Sequence, residues 1–448
     1  MTKNVNFKGK TVSVAGIGIS NTPLIDYLLK QGAVITARDM KSRDKLGNLA
    51  VELENKGVKL VCGENYLYDI ADEYIFRSPG LRFDKPGFVK AVADGSVLMS
   101  EMELFFELCP AKIIGITGSN GKTTTTTIIS QFIEAQYGKV YVGGNIGTPL
   151  LPLVDEMTEA DYAVVELSSF QLQTMKKSPD IAVVTNLSPN HLDYHTNMEE
   201  YADAKKNILR YQKSDGRLVL NNACEITRGF IDEMQAGVEL IMFNDTNGFY
   251  DINGKIYYKD EFIMNTSDII VPGHHNIENF ISAIAATYGF IDNDIIIDTA
   301  RTFKGVEHRI EFVREFNGVK YYNNSADSSP SRCAAALDAF DQKVIIICGG
   351  YDKQIPFDSL AKPLCEKAKA IVLTGATAPK IKEALINSGE DLPLIIEESN
   401  FDNAVIEAYK NAQDGDIVLL SPACASFDAF TNFAARGQKF KDIVNNLK

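Results

Sequence analysis

Hydrophobic and polar residues fall into two recurring patterns along this chain. Short apolar runs rich in valine and isoleucine stand at residues 112–116, 161–166, 181–187 and 344–348, and polar or glycine-containing turns follow them. Such runs are typical of parallel strands that helices cover on both faces. Longer segments with helical spacing of apolar residues lie between the runs. The pattern therefore predicts an α/β protein built on parallel sheets.

The N-terminal segment has the pattern of a βαβ unit. An apolar strand at 11–16, a helix at 23–30 and a strand at 33–39 follow one another. The G-I-G sequence at 16–18 is part of a dinucleotide-binding fingerprint, but Asn21 stands where the third glycine belongs. A single incomplete fingerprint fits a ligand-free turn equally well, so the nature of any ligand stays open at this point.

Two further segments follow the first. The second begins near Glu101, and the third begins near Val306. Apolar runs in the third segment alternate with helical patterns, as they do in the first. We therefore predict three successive α/β domains, at residues 1–101, 102–305 and 306–448.

A phosphate-binding loop is the most informative motif in the second segment. Residues 117–127 read T-G-S-N-G-K-T-T-T-T-T and directly follow the apolar run at 112–116. Gly118 and Gly121 allow the backbone to curl so that successive N–H groups face an anion. The positive end of the following helix dipole would lie at the same place. This loop predicts that the protein binds a nucleotide.

Side chains near the loop extend this prediction. Lys122 would reach the terminal phosphates, and the Thr123 hydroxyl would bind Mg²⁺. The loop departs from the general Walker spacing, because Ile116 stands where a glycine is expected. Glu166 ends an apolar run, where a second Mg²⁺ ligand belongs. An ordinary turn acid is the alternative, and the neighbouring phosphate loop favours the metal ligand.

Three other positions allow both a structural and a functional interpretation. His191 follows the run at 181–187, yet an isolated histidine is more often structural than a ligand. Lys205 lies in a helical segment whose residues alone indicate a solvated face. Asn145 stands in a glycine-rich turn, where it either binds a ligand or adopts a left-handed conformation.

Composition excludes several classes of function. The formal net charge of −14 argues against a nucleic-acid partner, because phosphate contact needs a basic surface. The seven cysteines are scattered and have no C-x-x-C pair, which indicates reduced thiols in a cytosolic protein. No apolar stretch approaches the ~20 residues of a membrane span, and the N-terminus lacks an apolar signal region. We expect a cytoplasmic protein with no membrane partner.

Taken together, the motifs resemble the Mur ligase family over nearly the whole chain. They are G-I-T-G-S-N-G-K-T-T at 115–124, V-G-G-N-I-G at 142–147, V-V-E-L-S-S-F-Q-L at 164–172, T-N-L-S-P-N-H-L-D-Y-H at 185–195, Y-A-D-A-K at 201–205, G-H-H-N-I-E-N at 273–279, E-H-R at 307–309, G-G-Y-D-K at 349–353 and L-S-P-A-C-A-S-F-D-A-F-T-N-F-A-A-R-G at 420–437. The phosphate loop also resembles that of folylpolyglutamate synthases. The last motif is more specific and is similar to the branch that adds D-glutamate.

The resemblance implies a fold, a reaction and cofactors. The fold would be a Rossmann-like N-terminal domain, a central P-loop ATPase-type parallel sheet and a C-terminal Rossmann-like domain. The reaction would be ATP-dependent addition of D-glutamate to UDP-N-acetylmuramoyl-L-alanine through an acyl phosphate, with two Mg²⁺ ions. Lys205 would be carbamoylated by CO₂, and the protein would be a monomer.

The resemblance also implies a role for each matching residue. The catalytic residues would be Lys122, His191 and Lys205, and the metal ligands would be Thr123, Glu166, His191 and Lys205. The ATP-binding residues would be Gly118, Ser119, Asn120, Gly121, Lys122, Thr123, Thr124, Asn276, Asn279, Arg309 and Asn324. The UDP-substrate pocket would comprise Ile19, Ser20, Asp39, Gly80 and Asn145. D-Glutamate would contact Lys353, Ser426 and Phe433.

One stretch departs from the family pattern. The family commonly has an N-D-S-K sequence where this chain has Asn324 and Ala326 in place of the acid and the lysine. Asp327 or Arg332 could compensate in part. Two alternatives therefore stay open. One is another amide ligase of the same architecture, such as a folylpolyglutamate synthase-like enzyme, and the other is a nucleotide-binding homologue that has lost catalysis.

Overall fold

A computed structural model of the protein describes residues 6–18, 21–191 and 194–448. In these ranges the chain forms three sheets, which follow one another in sequence and are flanked by helices. Most strand pairs are parallel, which confirms the predicted α/β class.

The first sheet has five parallel strands in the order β3-β2-β1-β4-β5. Its strands are β1 Thr11–Ala15, β2 Val34–Asp39, β3 Lys59–Cys62, β4 Tyr74–Arg77 and β5 Val97–Met99. Its helices are α1 Asn21–Lys30, α2 Arg43–Leu46, α3 Asn48–Asn55, α4 Pro86–Ala93 and α5 Glu101–Leu108. The strand order reverses between β1 and β4, so the loops after these strands flank a topological switch point, where such sheets bind ligands.

The second sheet has nine strands in the order β14-β13-β12-β11-β10-β9-β6-β8-β7. They are β6 Lys112–Thr117, β7 Tyr141–Gly144, β8 Tyr162–Glu166, β9 Ile181–Val184, β10 Arg217–Asn221, β11 Glu239–Phe243, β12 Phe249–Ile252, β13 Lys255–Tyr258 and β14 Glu261–Asn265. The associated helices are α6 Lys122–Tyr137, α7 Ser169–Leu172, α8 Met198–Lys206, α9 Glu225–Arg228, α10 His274–Thr287 and α11 Asn293–Thr302, with 3₁₀ turns at 151–156, 229–233 and 266–268. Strand β6 lies between β8 and β9 and is parallel to both.

The third sheet has six strands in the order β15-β16-β20-β17-β18-β19. They are β15 Glu311–Phe316, β16 Val319–Asn323, β17 Val344–Cys348, β18 Ala368–Leu373, β19 Leu394–Glu397 and β20 Ile417–Leu420. Its helices are α12 Pro330–Leu337, α13 Asp358–Lys367, α14 Ala378–Asn387, α15 Phe401–Lys410 and α16 Phe433–Asn445. Only the first pair, β15 with β16, is antiparallel among the strand pairs described in this sheet.

The chain divides into two compact units. One comprises the chain up to residue 264 together with 279–296, and the other comprises 265–278 together with 297–448. The first and second sheets thus share one unit. The divisions fall within β14, α10 and α11, and the three-domain boundaries remain a prediction.

Burial explains why the apolar runs form central strands. All residues of β9 and β17 are buried, as are five of the six residues of β6. All seven cysteines are free thiols. Across the described residues, the helices are too short or too polar to cross a membrane.

Gly115 offers a test of this central packing. A Cβ atom at Gly115 would lie 2.7 Å from Pro179 Cγ and 3.1 Å from Leu167 Cδ1, so Gly115→Ala forces its neighbours apart. We expect it to lower the free energy of unfolding by about 1–3 kcal/mol, as overpacking does. Urea unfolding followed by circular dichroism measures this. Gly229→Ala is the control, because its Cβ would meet open space, and a matching loss in both variants would refute the packing explanation.

Candidate active site

The phosphate loop after β6 requires glycine at two positions. Gly118 has φ +151° and Gly121 has φ +79°, both in the region that favours glycine. A Cβ atom at Gly118 would lie 1.9 Å from Thr185 Oγ1, and one at Gly121 would lie 2.3 Å from Asn279 Oδ1. Any larger residue would therefore displace the loop from its neighbours.

Hydrogen bonds fix this loop to the segment after β9. The Thr185 hydroxyl donates to Asn120 O at 2.6 Å, and Asn120 N donates to Asn186 Oδ1 at 3.0 Å. The Ser119 hydroxyl is 3.0 Å from the Tyr201 hydroxyl. Helix α6 then begins at Lys122, and Thr124 lies in its first turn. The loop is thus held in shape at the positive end of a helix of 16 residues.

The predicted Mg²⁺ ligands Thr123 and Glu166 lie side by side. The Thr123 hydroxyl donates to Glu166 Oε2 at 2.8 Å, and Asn145 Nδ2 donates to Glu166 Oε1 at 2.9 Å. Glu166 is only 1% exposed. A hydroxyl and a buried carboxylate are oxygen ligands of the kind Mg²⁺ prefers. The donor set beside the phosphate loop therefore fits this ion.

Two lysine side chains meet beneath the loop. Lys205 Nζ donates to Thr117 Oγ1 at 3.0 Å and to Gly118 O at 3.1 Å. Lys122 Nζ donates to the same Gly118 O at 3.0 Å and to Ser119 O at 3.1 Å. Burial, then the charge of Lys122, lower the pKa of Lys205 well below its ordinary value, while Glu166 opposes this. The solvated helix face expected for Lys205 is wrong, because this side chain is 1% exposed.

The two histidines after β9 differ in environment. His191 is exposed, has φ +56°, and its ring centroid lies 4.9 Å from that of Phe170. His195 is 1% exposed and its Nε2 is 2.9 Å from Ser169 Oγ. Burial lowers the pKa of His195. His191 thus lies at the surface, whereas His195 packs within the fold.

Acidic and imidazole ligands are sparse around these lysines. Nowhere in the described ranges do three or more His, Cys, Asp or Glu side chains form a cluster suited to a metal ion. A metal bound here would therefore take further ligands from a phosphate, from hydroxyls or from a modified side chain.

In the first sheet, the loop after β1 meets the turn that contains Gly80 at the switch point. Asp39 Oδ2 accepts a hydrogen bond of 2.8 Å from Ile17 N. A Cβ atom at Gly16 would lie 2.9 Å from Ser78 Cβ, so the loop after β1 touches the turn that contains Gly80. The predicted contacts Ile19 and Ser20 lie outside the described residues.

The acid missing at position 324 has a counterpart three residues later. Asn324 Nδ2 donates to Asp327 Oδ2 at 2.8 Å, and the Ser421 hydroxyl donates to the same oxygen at 2.9 Å. Asp327 is 6% exposed. Burial raises the pKa of Asp327 to about 6, against the opposing effects of Ser421, Arg332, Asn324 and Arg309.

A buried arginine that sequence reasoning missed organises this part of the second unit. Arg436 is 2% exposed, and its Nε donates to Ser325 Oγ at 3.0 Å. Its Nη1 donates to Ala425 O at 3.1 Å and its Nη2 to Cys424 O at 3.1 Å. Burial lowers the pKa of Arg436 to about 10. The only signal in the sequence is its place in the last motif, A-A-R-G at 434–437.

The predicted D-glutamate residues belong to the same unit as Arg436. Ser426 is 2% exposed, whereas Lys353 and Phe433 are exposed. Tyr351 N donates to Ala425 O, which brings the loop of Lys353 beside that of Ser426. The Ser325 hydroxyl donates to Phe433 O at 2.8 Å. A cation and a hydroxyl on adjacent loops suit a dicarboxylate.

The predicted nucleotide residues are divided between the two units. Asn279 belongs to the first, where its Oδ1 accepts from the Thr125 hydroxyl at 3.4 Å. Asn276 and Arg309 belong to the second, where Asn276 Nδ2 donates to Pro272 O at 2.6 Å.

Comparisons with known proteins agree on one family. Residues 116–287 match the Mur ligase middle domain, and residues 308–424 match the Mur ligase glutamate ligase domain. The UDP-N-acetylmuramoylalanine--D-glutamate ligase of Acetivibrio thermocellus is 49% identical, with 98% of this chain and 97% of that protein covered. The enzyme of the same name from Clostridium novyi is 48% identical over the same shares.

A solved structure shows the same fold. The UDP-N-acetylmuramate-alanine ligase of Thermotoga maritima matches 98% of this chain and 100% of its own, with a TM-score of 0.59 and 17% sequence identity.

Asp327 predicts a pH effect on stability. Its pKa of about 6 in the folded state exceeds the ~3.9 of an unfolded chain, so the cost of burying its charge builds up as the pH rises between these two values. As the pH rises from ~4 to ~6, the free energy of unfolding of the wild type should therefore fall by about 1–3 kcal/mol relative to that of Asp327→Asn. Thermal melts of both proteins at pH 4 and pH 7 measure this difference. Asp341→Asn, at an exposed position, should keep the wild-type dependence, and an unchanged dependence in Asp327→Asn would contradict the assignment.

Proposed function

Because the chain belongs to the Mur ligase family, we propose that it joins D-glutamate to UDP-N-acetylmuramoyl-L-alanine with hydrolysis of ATP, in the synthesis of peptidoglycan precursors. The observation that carries this is the near full-length similarity to ligases of that name, at 49% identity. The phosphate loop with Thr123, Glu166 and Lys205 at its base supports the ATP-dependent part.

The reaction has two steps. The carboxylate of the L-alanyl group attacks the γ-phosphorus of ATP, which forms an acyl phosphate and releases ADP. The amine of D-glutamate then attacks the acyl carbon, loses a proton and expels inorganic phosphate from a tetrahedral intermediate. The first step depends mainly on positioning and charge neutralisation, because phosphoryl transfer has a loose transition state.

The loop residues would provide this neutralisation. The start of α6 offers the positive end of the helix dipole to an anion, and Lys122 stands at that helix start. Lys122 Nζ now bonds to Gly118 O and Ser119 O, so it lies against the loop that would bind phosphate. We infer that it turns toward the transferred phosphoryl group when ATP binds.

Two groups of residues would hold Mg²⁺. Thr123 and Glu166 form the first group, and His191 and Lys205 form the second, where Lys205 would act as its carbamate. The ions would neutralise phosphate charge and polarise the transferred phosphoryl group. Asn145 holds the Glu166 carboxylate in place by donating to Oε1 at 2.9 Å.

The surroundings of Lys205 support its proposed carbamoylation. Because its pKa is lowered, the buried Lys205 amine loses its proton more readily than an ordinary lysine, and the neutral nitrogen can attack the carbon of CO₂ with its lone pair. The nitrogen then loses a proton to solvent, and the product carries one negative charge. The carbamate attracts Lys122, whereas a protonated Lys205 would repel it, and it supplies an oxygen ligand where the described acids are too few.

The UDP-linked substrate and the amino acid would bind at separate places. Asp39 and Gly80 mark the switch point of the first sheet, which fits the UDP group. Lys353 and Ser426 would bind the carboxylates of D-glutamate, with Phe433 beside its methylene groups. We further propose that the protein works in the cytoplasm as a monomer.

The contact between Asn324 and Asp327 argues against a homologue that has lost catalysis. Asp327 lies 2.8 Å from Asn324 and supplies a carboxylate where the family pattern has one. The residues proposed for phosphate and metal binding are all present.

Phosphate release tests the proposal directly. The purified protein is incubated with ATP, Mg²⁺ and UDP-N-acetylmuramoyl-L-alanine, with D-glutamate, L-alanine, L-glutamate or meso-diaminopimelate added separately. We expect release only with D-glutamate. Phosphate release with another amino acid alone would assign the protein to a different member of the Mur ligase family. No phosphate release with any amino acid would favour a protein without ligase activity.

Replacement of Lys205 should abolish activity in a way that small acids reverse. In Lys205→Ala we expect a loss of at least about a hundredfold in kcat, because a metal ligand is missing. Formate or acetate should restore part of it by occupying the space of the carbamate. Lys206→Ala is the control, since Lys206 pairs with Glu233 at 2.6 Å. Activity of Lys205→Ala near that of the wild type would exclude the carbamate.

Exchanging the acid and the amide at positions 324 and 327 tests the role of this pair. Asn324→Asp would place two buried carboxylates within hydrogen-bond distance, where both cannot stay ionised. We expect kcat/KM for ATP to fall more than about tenfold, the equivalent of ~1.4 kcal/mol. The double variant Asn324→Asp with Asp327→Asn restores one acid and one amide, and it should recover most of this loss. Equal kinetics of the single and double variants would show that the charge there is irrelevant.

A further inference from the structure

Arg82 joins the first sheet to the segment that follows β9 in the second. Its Nη1 donates to Tyr194 O at 2.6 Å and its Nη2 to Glu200 Oε1 at 3.0 Å. The guanidinium also lies 5.3 Å from the centre of the Tyr194 ring. Asp84 accepts from Nε and Nη2 of the same group and so fixes its orientation. Arg82 therefore binds a backbone oxygen, a carboxylate and a ring of one distant segment.

Glu200 is the centre of that distant segment. Its Oε2 accepts from Thr196 N at 2.6 Å and from the Thr196 hydroxyl at 2.8 Å. Its Oε1 accepts from Gln173 Nε2 at 3.0 Å as well as from Arg82. Burial acts to raise the pKa of Glu200, but the hydrogen bonds from Thr196 and Arg82, with the charge of Arg82, lower it to about 2. The carboxylate is thus charged and ties the segment before α8 to the start of that helix.

The same segment carries two proposed metal ligands. His191 precedes Tyr194 by three residues, and Tyr194 N donates to His191 O at 3.1 Å. Lys205 lies on α8 five residues after Glu200, which is about 7.5 Å along a helix. Tyr201, next to Glu200, is 3.0 Å from the Ser119 hydroxyl of the phosphate loop. A shift of Glu200 would therefore move both ligands.

A second arginine holds the turn from which Arg82 extends. Arg77 is fully buried, and its Nη1 donates to Leu81 O at 3.0 Å. Its Nη2 donates to Phe170 O at 3.2 Å and to Thr174 Oγ1 at 2.9 Å. The turn at 78–82 is thus fixed against the second sheet at both ends.

We propose that Arg82 is a positioning residue that holds His191 and Lys205 in the arrangement needed to bind a divalent cation. It acts through Tyr194 O and the Glu200 carboxylate and touches neither ligand. The identity of the cation site rests on the proposed function. Gly80 lies two residues before Arg82, so the turn proposed to bind the UDP-linked substrate also supports the metal ligands.

Mn²⁺ binding to the full-length protein tests this without any substrate. The electron paramagnetic resonance signal of free Mn²⁺ is followed during titration of wild type, Arg82→Met and Arg82→Lys. We expect about tenfold weaker binding by Arg82→Met, as when an outer-shell partner of a metal site is lost. Arg82→Lys keeps the charge but lacks the planar fork, and it should be intermediate.

Arg43→Met is the matched control. Arg43 also forms a forked ion pair, with Glu54, but both partners lie within the first sheet's helices. It should bind Mn²⁺ as the wild type does. Equal Mn²⁺ affinity of Arg82→Met and wild type would overturn the inference, as would wild-type protein that binds no Mn²⁺. If Arg82→Met fails to fold by circular dichroism, Arg82→Lys decides, and its wild-type affinity would overturn the inference.

Kinetics separate positioning from a general loss of structure. In Arg82→Met, the Mg²⁺ concentration for half-maximal activity should rise about tenfold. KM for D-glutamate should stay within about twofold, because its proposed contacts belong to the other unit. Equal increases in the half-maximal Mg²⁺ concentration and in KM for D-glutamate would overturn the positioning role. Wild-type protein that binds Mn²⁺ but forms no product would contradict the proposed function and leave this inference intact.

Discussion

Two lysine side chains donate hydrogen bonds to one backbone oxygen at the base of the phosphate loop. Gly118 O accepts from Lys122 Nζ at 3.0 Å and from Lys205 Nζ at 3.1 Å, and Lys205 is 1% exposed. An ammonium group buried beside another is strongly disfavoured, so Lys205 is driven toward a neutral amine. The proposed carbamate, the second metal position and the orientation of Lys122 all depend on this constraint.

The sheet topology creates this meeting point. Strand β6 runs between β8 and β9, so the phosphate loop, Glu166 and the segment after β9 leave the sheet at the same edge. Gly118 permits the close approach, because its missing side chain leaves room for Thr185 Oγ1. Helix α8 then directs Lys205 back under the loop. The buried strands thus bring together groups that are far apart in sequence.

Much of this arrangement could be predicted from the sequence. Strands 112–116 and 344–348, the glycine turn and the helix start at Lys122 follow local rules of burial and backbone conformation, and the structure confirms them. The burial of Lys205 could not be predicted, because helical spacing does not show which face packs when two lysines are adjacent. The contacts of Asp327 and Arg436 depend on loops that meet only after folding.

Carbon-13 nuclear magnetic resonance of the full-length protein in ¹³C-bicarbonate tests the central claim most directly. We expect a protein-bound carbamate resonance that is absent in Lys205→Ala and present in Lys206→Ala, because Lys206 pairs with Glu233 near the surface in the wild type. The resonance should weaken at acidic pH, where protonation of the amine competes with CO₂. A wild-type spectrum without this resonance, or a resonance that persists in Lys205→Ala, would contradict the proposed carbamate.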